Sequence, residues 1–484
     1  MHILSKGKSL TDVPDTPHVP PPGLALCARN MTAEIHAWLR LTLFTPLLAG
    51  LLGACASYGV IDNTSIGKIP SSGGYTLKSW AESDRSDDIA FLVTFSGGGT
   101  RAAAMAYGVL DELRKTEVSI NGKPTRLLDE VDHISSVSGG SFTAAYYGLH
   151  GDGLFETFED DFLRFDLDGH LARGLFNPIH WFQSTGRTER AIKYYEEILF
   201  HGATFADIMN ADRPMIVINT SDLAYGIRFS FIQEYFDFLC SDLLSYPVAN
   251  AVAASSAVPV VFNPVVLENY GTCGNYSPAW PDDAEKLAKE NEAFAVLYQQ
   301  LNTYSDKSQR KYIHFVDGGI TDNMGLRALS DVVTITGGAS AFLARLQRKT
   351  PRYIVLISVN ASKGPLKEMD QSTKQPSMFS AMSAASNTEI QRYNTATVEL
   401  AQSEINRWSR MVSSPERPVT PYFIQVSFDE VEQSQLRQFL NGIPTSFNLS
   451  DEQVDKLISS AHMLLRENPQ FKQFLSDLAD PSAP

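Results

Sequence analysis

The chain has 484 residues, 43% of them hydrophobic and 10% aromatic, which is enough for a substantial core and too many residues for one minimal domain. A formal net charge of −15 and a pI near 5.1 exclude electrostatic capture of nucleic acid or of an anionic bilayer, since both need clustered lysine and arginine. Any lipid contact must be apolar or covalent. Cys27, Cys55, Cys240 and Cys273 form no CxxC pair and have no histidine at zinc spacing, so no metal and no structural cluster is expected.

At the N-terminus, the apolar run TLFTPLLAGLLGA (42–54) follows Arg40 and is too short to span a bilayer comfortably, which reads as a signal peptide. It ends in Leu52-Gly53-Ala54-Cys55, which resembles the bacterial lipobox, with Cys55 as the lipidated residue. Met31, with Ala37, Trp38 and Arg40 after it, opens a more ordinary signal than the Pro-rich residues before it, so Met31 is the expected start. A plain secretory signal is the alternative. Ala56 is not the aspartate that retains lipoproteins at the inner membrane, so the expected location is the outer membrane, facing the periplasm, with each buried CH2 of the anchor adding about 0.8 kcal/mol. In that oxidising compartment Cys240 and Cys273 are the only remaining thiols and are expected to pair, adding about 3 kcal/mol.

The Ser-, Gly- and Thr-rich stretch 55–87 suits a tether. Beyond it, short β-branched runs (89–95, 131–137, 214–223, 312–317 and 353–360) alternate with helical patterns, which indicates a mostly parallel α/β sheet covered on both faces over 88–362. The charged segment 281–311 reads as an exposed helical insertion. Residues 363–484 read as a mainly helical region packed on the core, with one strand at 421–428 and a capping box at Ser450–Gln453.

Three motifs carry chemistry. Ser96-Gly97-Gly98-Gly99-Thr100-Arg101 lies between a strand and an Ala-rich helix, where glycines can turn N–H groups toward a developing negative charge. A phosphate loop is the competing reading, disfavoured because G-K-[ST] and Rossmann spacing are both lacking. Ser136-Val137-Ser138-Gly139-Gly140 has the strand–turn–helix form of a nucleophile elbow, with Ser136 where glycine is usual. Asp317-Gly318-Gly319 puts a carboxylate at a strand end, where active sites of open α/β sheets collect, although Asp-Gly-Gly is also ordinary turn chemistry.

In this order the motifs resemble those of the patatin-like phospholipase family, and Ala253-Ala254-Ser255-Ser256-Ala257-Val258-Pro259 with Phe262 resembles a further segment of that family. The resemblance covers roughly 88–330. It implies an α/β fold, the patatin-like three-layer α/β/α, with Ser138 as nucleophile and Asp317 as its direct base. The Gly97–Gly99 loop would be the oxyanion hole, with Gly98 and Gly99 as donors and Gly97 shaping the turn. Arg101 would fix that loop or meet a phosphate; a helix-start salt bridge is the plainer role. The implied substrates are acyl esters of lipids, including phospholipids and lysophospholipids, and no cofactor is implied. A triad through His133 or His314 stays open, though each sits inside a strand, and Leu175, Phe176, Ile179, Trp181 and Phe182 are candidates for an acyl channel or for core. The rival readings are a broad carboxylesterase or acyltransferase, and a catalytically silent lipoprotein that binds lipid or a partner.

Overall fold

The computed structural model describes residues 59–66, 74–81, 85–165, 186–210, 212–259, 261–273, 280, 283–364, 373, 375 and 378–480. All lie in the compact unit Tyr58–Pro484, which is distinct from Met1–Ser57. The signal peptide, Cys55 and the apolar group Leu175 to Phe182 fall outside the described residues.

The main strands are β1 (Ile89–Phe95), β2 (His133–Val137), β3 (Met215–Asp222), β4 (Ile227–Ser230), β5 (Val265–Glu268), β6 (Tyr312–Asp317), β7 (Tyr353–Asn360) and β8 (Thr420–Ser427). The helices that matter below are α1 (Thr100–Lys115), α2 (Gly139–His150), α3 (Val248–Ser255), α4 (Glu292–Asn302), α5 (Leu326–Ile335), α6 (Ala339–Leu346), α7 (Met378–Val412), α8 (Asp451–Glu467) and α9 (Pro469–Ala479). The strands form one eight-stranded sheet in the order β8-β7-β1-β2-β3-β6-β5, with β4 also paired to β3. Neighbours from β8 to β3 are parallel; β6 and β4 run antiparallel to β3, and β5 is antiparallel to β6.

Strand alternation divides the apolar residues between two layers. From β1, Ile89, Phe91, Val93 and Phe95 enter the larger core with α1, α2 and α8, while Ala90 and Leu92 turn to a second cluster with α5, α6 and α7. In the same way β7 sends Tyr353, Val355 and Ile357 to the first and Ile354 and Leu356 to the second. The mostly parallel, doubly covered sheet expected from the sequence is therefore present.

Two segments differ from the sequence reading. Part of the expected tether belongs to the body: Asn63 is buried and bonds Ser241 and Glu268. Tyr75 is likewise fully buried, its hydroxyl donating to the Ile216 carbonyl and accepting the Ile216 N–H. The expected insertion holds the helices Ala284–Glu290 and Glu292–Asn302, yet Leu301 and Tyr304 are fully buried in the main core, so it is packed on one side. The region after 362 is mainly helical and packed on the core as expected, and its one strand, β8, pairs along the whole of β7 at the edge of the sheet. Its expected capping box is formed, with Gln453 N–H donating to Ser450 Oγ at 3.3 Å and Ser450 N–H to Gln453 Oε1 at 3.0 Å.

Cys240 and Cys273 are disulfide-linked, their Cα atoms 5.1 Å apart. At the end of β3, the buried Asp222 takes an ion pair from Arg310 and the Tyr304 hydroxyl at 3.2 Å. Asp222→Ala would strand the Arg310 charge in the interior and is expected to cost about 3–5 kcal/mol. An unchanged urea midpoint would show that the pair does not stabilise the fold.

Candidate active site

The nucleophile elbow follows from where β2 stops. Val137 is its last residue, and Ser138 turns the chain into α2 with φ 50° and ψ −121°. Such a backbone costs an L-residue about 1–3 kcal/mol unless its surroundings hold it. Here Ser138 N–H donates to Ser255 Oγ at 2.8 Å, and the Ser255 hydroxyl donates to Asn219 O at 2.6 Å. Ser141 N–H closes the turn on Ser138 O at 2.9 Å. Gly139 is required by close approach, since a Cβ there would lie 2.0 Å from the Gly99 carbonyl oxygen. Ser136, where the motif usually has glycine, is fully buried and donates to the Val217 carbonyl at 3.2 Å, so its extra hydroxyl is satisfied.

Sheet register brings Asp317 to Ser138. Val137 pairs with Asn219 in the parallel direction and Asp317 pairs with Thr220 in the antiparallel direction. The C-terminal ends of β2 and β6 thus meet head-on at adjacent residues of β3, although Ser138 and Asp317 are 179 residues apart. From the sequence, Asp317 is expected at the C-terminal rim of parallel strands. Its strand instead arrives from the opposite direction, and the meeting point is the same.

Ser138 Oγ donates to Asp317 Oδ2 at 2.8 Å, and Gly319 N–H donates to Oδ1 at 2.7 Å. The two residues are only 7% and 8% exposed. Burial pushes the Asp317 carboxyl up to about 6, against the opposing pull of the Gly319 N–H and the Ser138 hydroxyl. A carboxylate so placed is ionised at neutral pH and more basic than an exposed one.

The glycine loop lies against this pair. Gly97 N–H is already given to Asn323 O at 2.9 Å, which fits its expected part as the turn-shaping residue of the loop rather than a donor. The N–H groups of Gly98 and Gly99 have no acceptor among the described residues. Gly99, at φ 63°, precedes α1 and its carbonyl accepts from Ala102 and Ala103. Arg101 is buried and donates to Ala361 O and Ile443 O, both at 2.8 Å. It therefore fixes the loop, tying it to the end of β7 and to the C-terminal region, rather than forming a salt bridge; burial lowers its guanidinium to about 10, still charged at neutral pH.

Neither candidate histidine reaches the pair. His133 sits at the start of β2, opposite Leu92, and burial drives it down to about 3, so it is neutral. His314 is exposed on β6 opposite Val266. Among the described residues no group of three or more metal-type ligands is present.

Two residues gain roles that their sequence motifs did not announce. Ser255, in the family-like segment at the end of α3, links the elbow to the Asp317 turn, because its carbonyl also accepts Gly318 N–H at 3.0 Å. Ser255→Ala would leave a buried N–H unsatisfied at a strained turn, with an expected loss of about 1–3 kcal/mol and a fall in kcat larger than any change in KM. Wild-type kcat would contradict this. Asn323 holds Gly97 through its carbonyl and Ser362 Oγ through its amide at 3.0 Å.

Exposed apolar side chains flank the Ser138–Asp317 pair. Val258 follows Ala257, whose carbonyl takes Asp317 N–H, and Ile320 follows Gly319. They are 43% and 47% exposed.

The sequence has no match among curated proteins. Solved structures similar to the chain include human GIVD cytosolic phospholipase A2, at 14% identity, covering 87% of this chain and 66% of that one with a TM-score of 0.38. The same human enzyme in complex with methyl gamma-linolenyl fluorophosphonate is similar at 14% identity, covering 83% and 61% with a TM-score of 0.37. The chain spans slightly less than two thirds of the length of these structures. Residues 93–330, from β1 through the glycine loop, Ser138 and Asp317 into α5, match the family described as patatin-like phospholipase, so this stretch of the chain is a patatin-like phospholipase domain.

Proposed function

We propose that the protein is a serine hydrolase of lipid acyl esters, working through a Ser138–Asp317 dyad and an acyl-enzyme. The observation that carries this reading is the 2.8 Å hydrogen bond from Ser138 Oγ to Asp317 Oδ2. Ser138 Oγ attacks the ester carbonyl as its proton passes to Asp317. The N–H groups of Gly98 and Gly99 receive the oxyanion. The tetrahedral intermediate collapses when the leaving alcohol takes the proton back from Asp317, leaving an acyl group on Ser138. Water, deprotonated by Asp317, then attacks the acyl-enzyme, and the fatty acid leaves with Oγ reprotonated.

A phospholipid or lysophospholipid is the proposed substrate class, supported by the family and by the exposed Val258 and Ile320 beside the dyad. Lipidation of Cys55 at the outer membrane, facing the periplasm, would place this site next to its substrate. That part rests on the sequence, and among the described residues no helix is long and apolar enough to cross a membrane. Incubation of the purified protein with phospholipid and lysophospholipid vesicles, with fatty acid measured by mass spectrometry, tests the proposal. Fatty acid release by the wild type and none by Ser138→Ala is expected; equal release by both would overturn it.

A further inference from the structure

Hydrolysis of an acyl-enzyme makes a demand that its formation does not. The attacking water carries two protons. One passes to Asp317 as the oxygen attacks the acyl carbon, and the other stays on that oxygen and needs an acceptor of its own. The nearest oxygens of the pair are engaged: Asp317 Oδ1 accepts Gly319 N–H at 2.7 Å, and the Ser138 carbonyl accepts Ser141 N–H at 2.9 Å. A site that works on water therefore calls for a further acceptor beside Ser138 and Asp317.

Asn323 presents one. It follows the short helix Gly319–Asp322, and its side-chain amide donates to Ser362 Oγ at 3.0 Å, an oxygen that also takes the Asn394 amide at 2.8 Å. With the nitrogen held there, the carboxamide oxygen faces the pair. A Cβ built on Gly97 would lie 2.6 Å from Asn323 Oδ1 and 3.2 Å from Ser138 Cβ. One built on Gly319 would lie 2.9 Å from Asn323 Oδ1 and 2.9 Å from Asp317 Oδ1. Asn323 Cγ is 3.7 Å from either point, so the oxygen is the leading atom. Two glycines thus keep clear the space that this oxygen shares with Ser138 and Asp317. Asn323 is only 7% exposed, yet Oδ1 accepts no hydrogen bond from a described residue and is not sealed from solvent.

We infer that Asn323 is a third catalytic residue, confined to deacylation, whose Oδ1 accepts the retained proton of the hydrolytic water and aims the water at the acyl carbon. This rests on the reading of Ser138 and Asp317 as nucleophile and base. In the step, the water oxygen forms its bond to the acyl carbon as one O–H proton passes to Asp317, while the other O–H donates to Asn323 Oδ1. The C–Oγ bond then breaks, Oγ takes the proton back from Asp317, and the fatty acid leaves. An alcohol attacking the same acyl group has a single O–H, which goes to Asp317, so it asks nothing of Asn323. The carboxamide oxygen therefore favours water over alcohols as the acyl acceptor, and makes the site a hydrolase rather than an acyltransferase.

The test uses p-nitrophenyl octanoate with added methanol and the full chain as wild type, Asn323→Leu and Asn323→Ala. Nitrophenol from the first turnover reports acylation, and mass spectrometry of the products gives the ratio of methyl octanoate to octanoic acid. Both variants remove the acceptor; leucine keeps the size of asparagine, and alanine decides if the leucine variant does not fold. The first turnover is expected to stay close to wild type, while the ester-to-acid ratio rises about tenfold or more through loss of the positioned water. An unchanged ratio in the folded variants would overturn the assignment, because a merely structural role slows both acceptors alike. Loss of the first turnover in the folded variants would overturn it as well, by placing Asn323 in acylation. Nitrophenol release with no methyl octanoate from any of the three proteins would instead remove the acyl-enzyme itself, and the assignment of Asn323 with it.

Discussion

Asp317→Asn is expected to lower kcat/KM for an acyl ester by about 10²–10⁴-fold, the usual range for loss of a positioned base. Asparagine keeps the size of the site and can still accept Gly319 N–H at its carbonyl oxygen, but its amide nitrogen cannot accept the Ser138 hydroxyl or take its proton. Because burial raises the Asp317 carboxyl to about 6, activity of the wild type should fall as pH drops through about 6, where the base becomes protonated. The stability consequence has the opposite sense. A carboxyl whose folded pKa is raised binds its proton more tightly in the native state, so its contribution to stability is complete below the ordinary value near 4. That contribution is lost as pH rises through about 6. The amide in the variant carries no such charge, so Asp317→Asn should be as stable as the wild type or more stable at neutral pH, while nearly inactive. A pH–rate profile and thermal melts of both proteins check this pair of statements. A wild-type profile that stays flat down to about pH 4.5 would remove Asp317 from the role of base.

Gly139→Ala is expected to be the most damaging single methyl in the chain for activity. The added carbon would sit 2.0 Å from the Gly99 carbonyl oxygen, and the atom in the way is backbone, which cannot rotate aside. Either the elbow or the glycine loop must move. Overpacking of this kind costs about 1–3 kcal/mol or more, and displacement of oxyanion donors by about 1 Å costs on the order of 10²-fold in rate. The expected result is a folded but less stable protein with at least a 10²-fold loss of kcat, the same order as that displacement. Full activity with an unchanged melting temperature would mean that the two loops are not in contact.

How much of this is legible in the sequence depends on how local the requirement is. Ser138, Asp317 and the glycines at 97–99 stand out because a strained turn, a strand-end carboxylate and a close backbone approach each demand particular residues within a few positions. Layering is legible for the same reason, since alternation along β1 and β7 reports two covered faces. Long-range pairing is not. The antiparallel direction of β6 is set by its partners Asp222 to Thr220, far away in sequence, and nothing in YIHFVD encodes it. The tether reads too long because Gly- and Ser-rich composition hides Asn63 and Tyr75, single residues whose hydrogen bonds recruit the segment to the body. Arg101 suits a phosphate and a loop equally well by sequence, and only the position of Ala361 and Ile443 decides between them. Ser255 lies inside a recognised segment, yet its role depends on the elbow meeting α3.

The central claim is that Ser138 is a nucleophile activated by Asp317, and active-site labelling of the folded body with a fluorophosphonate tests it most directly. The account predicts one covalent adduct, located on Ser138 by peptide mass spectrometry, absent in Ser138→Ala and much slower in Asp317→Asn. A well-folded wild type that takes no label, or takes it on another residue, would contradict the account.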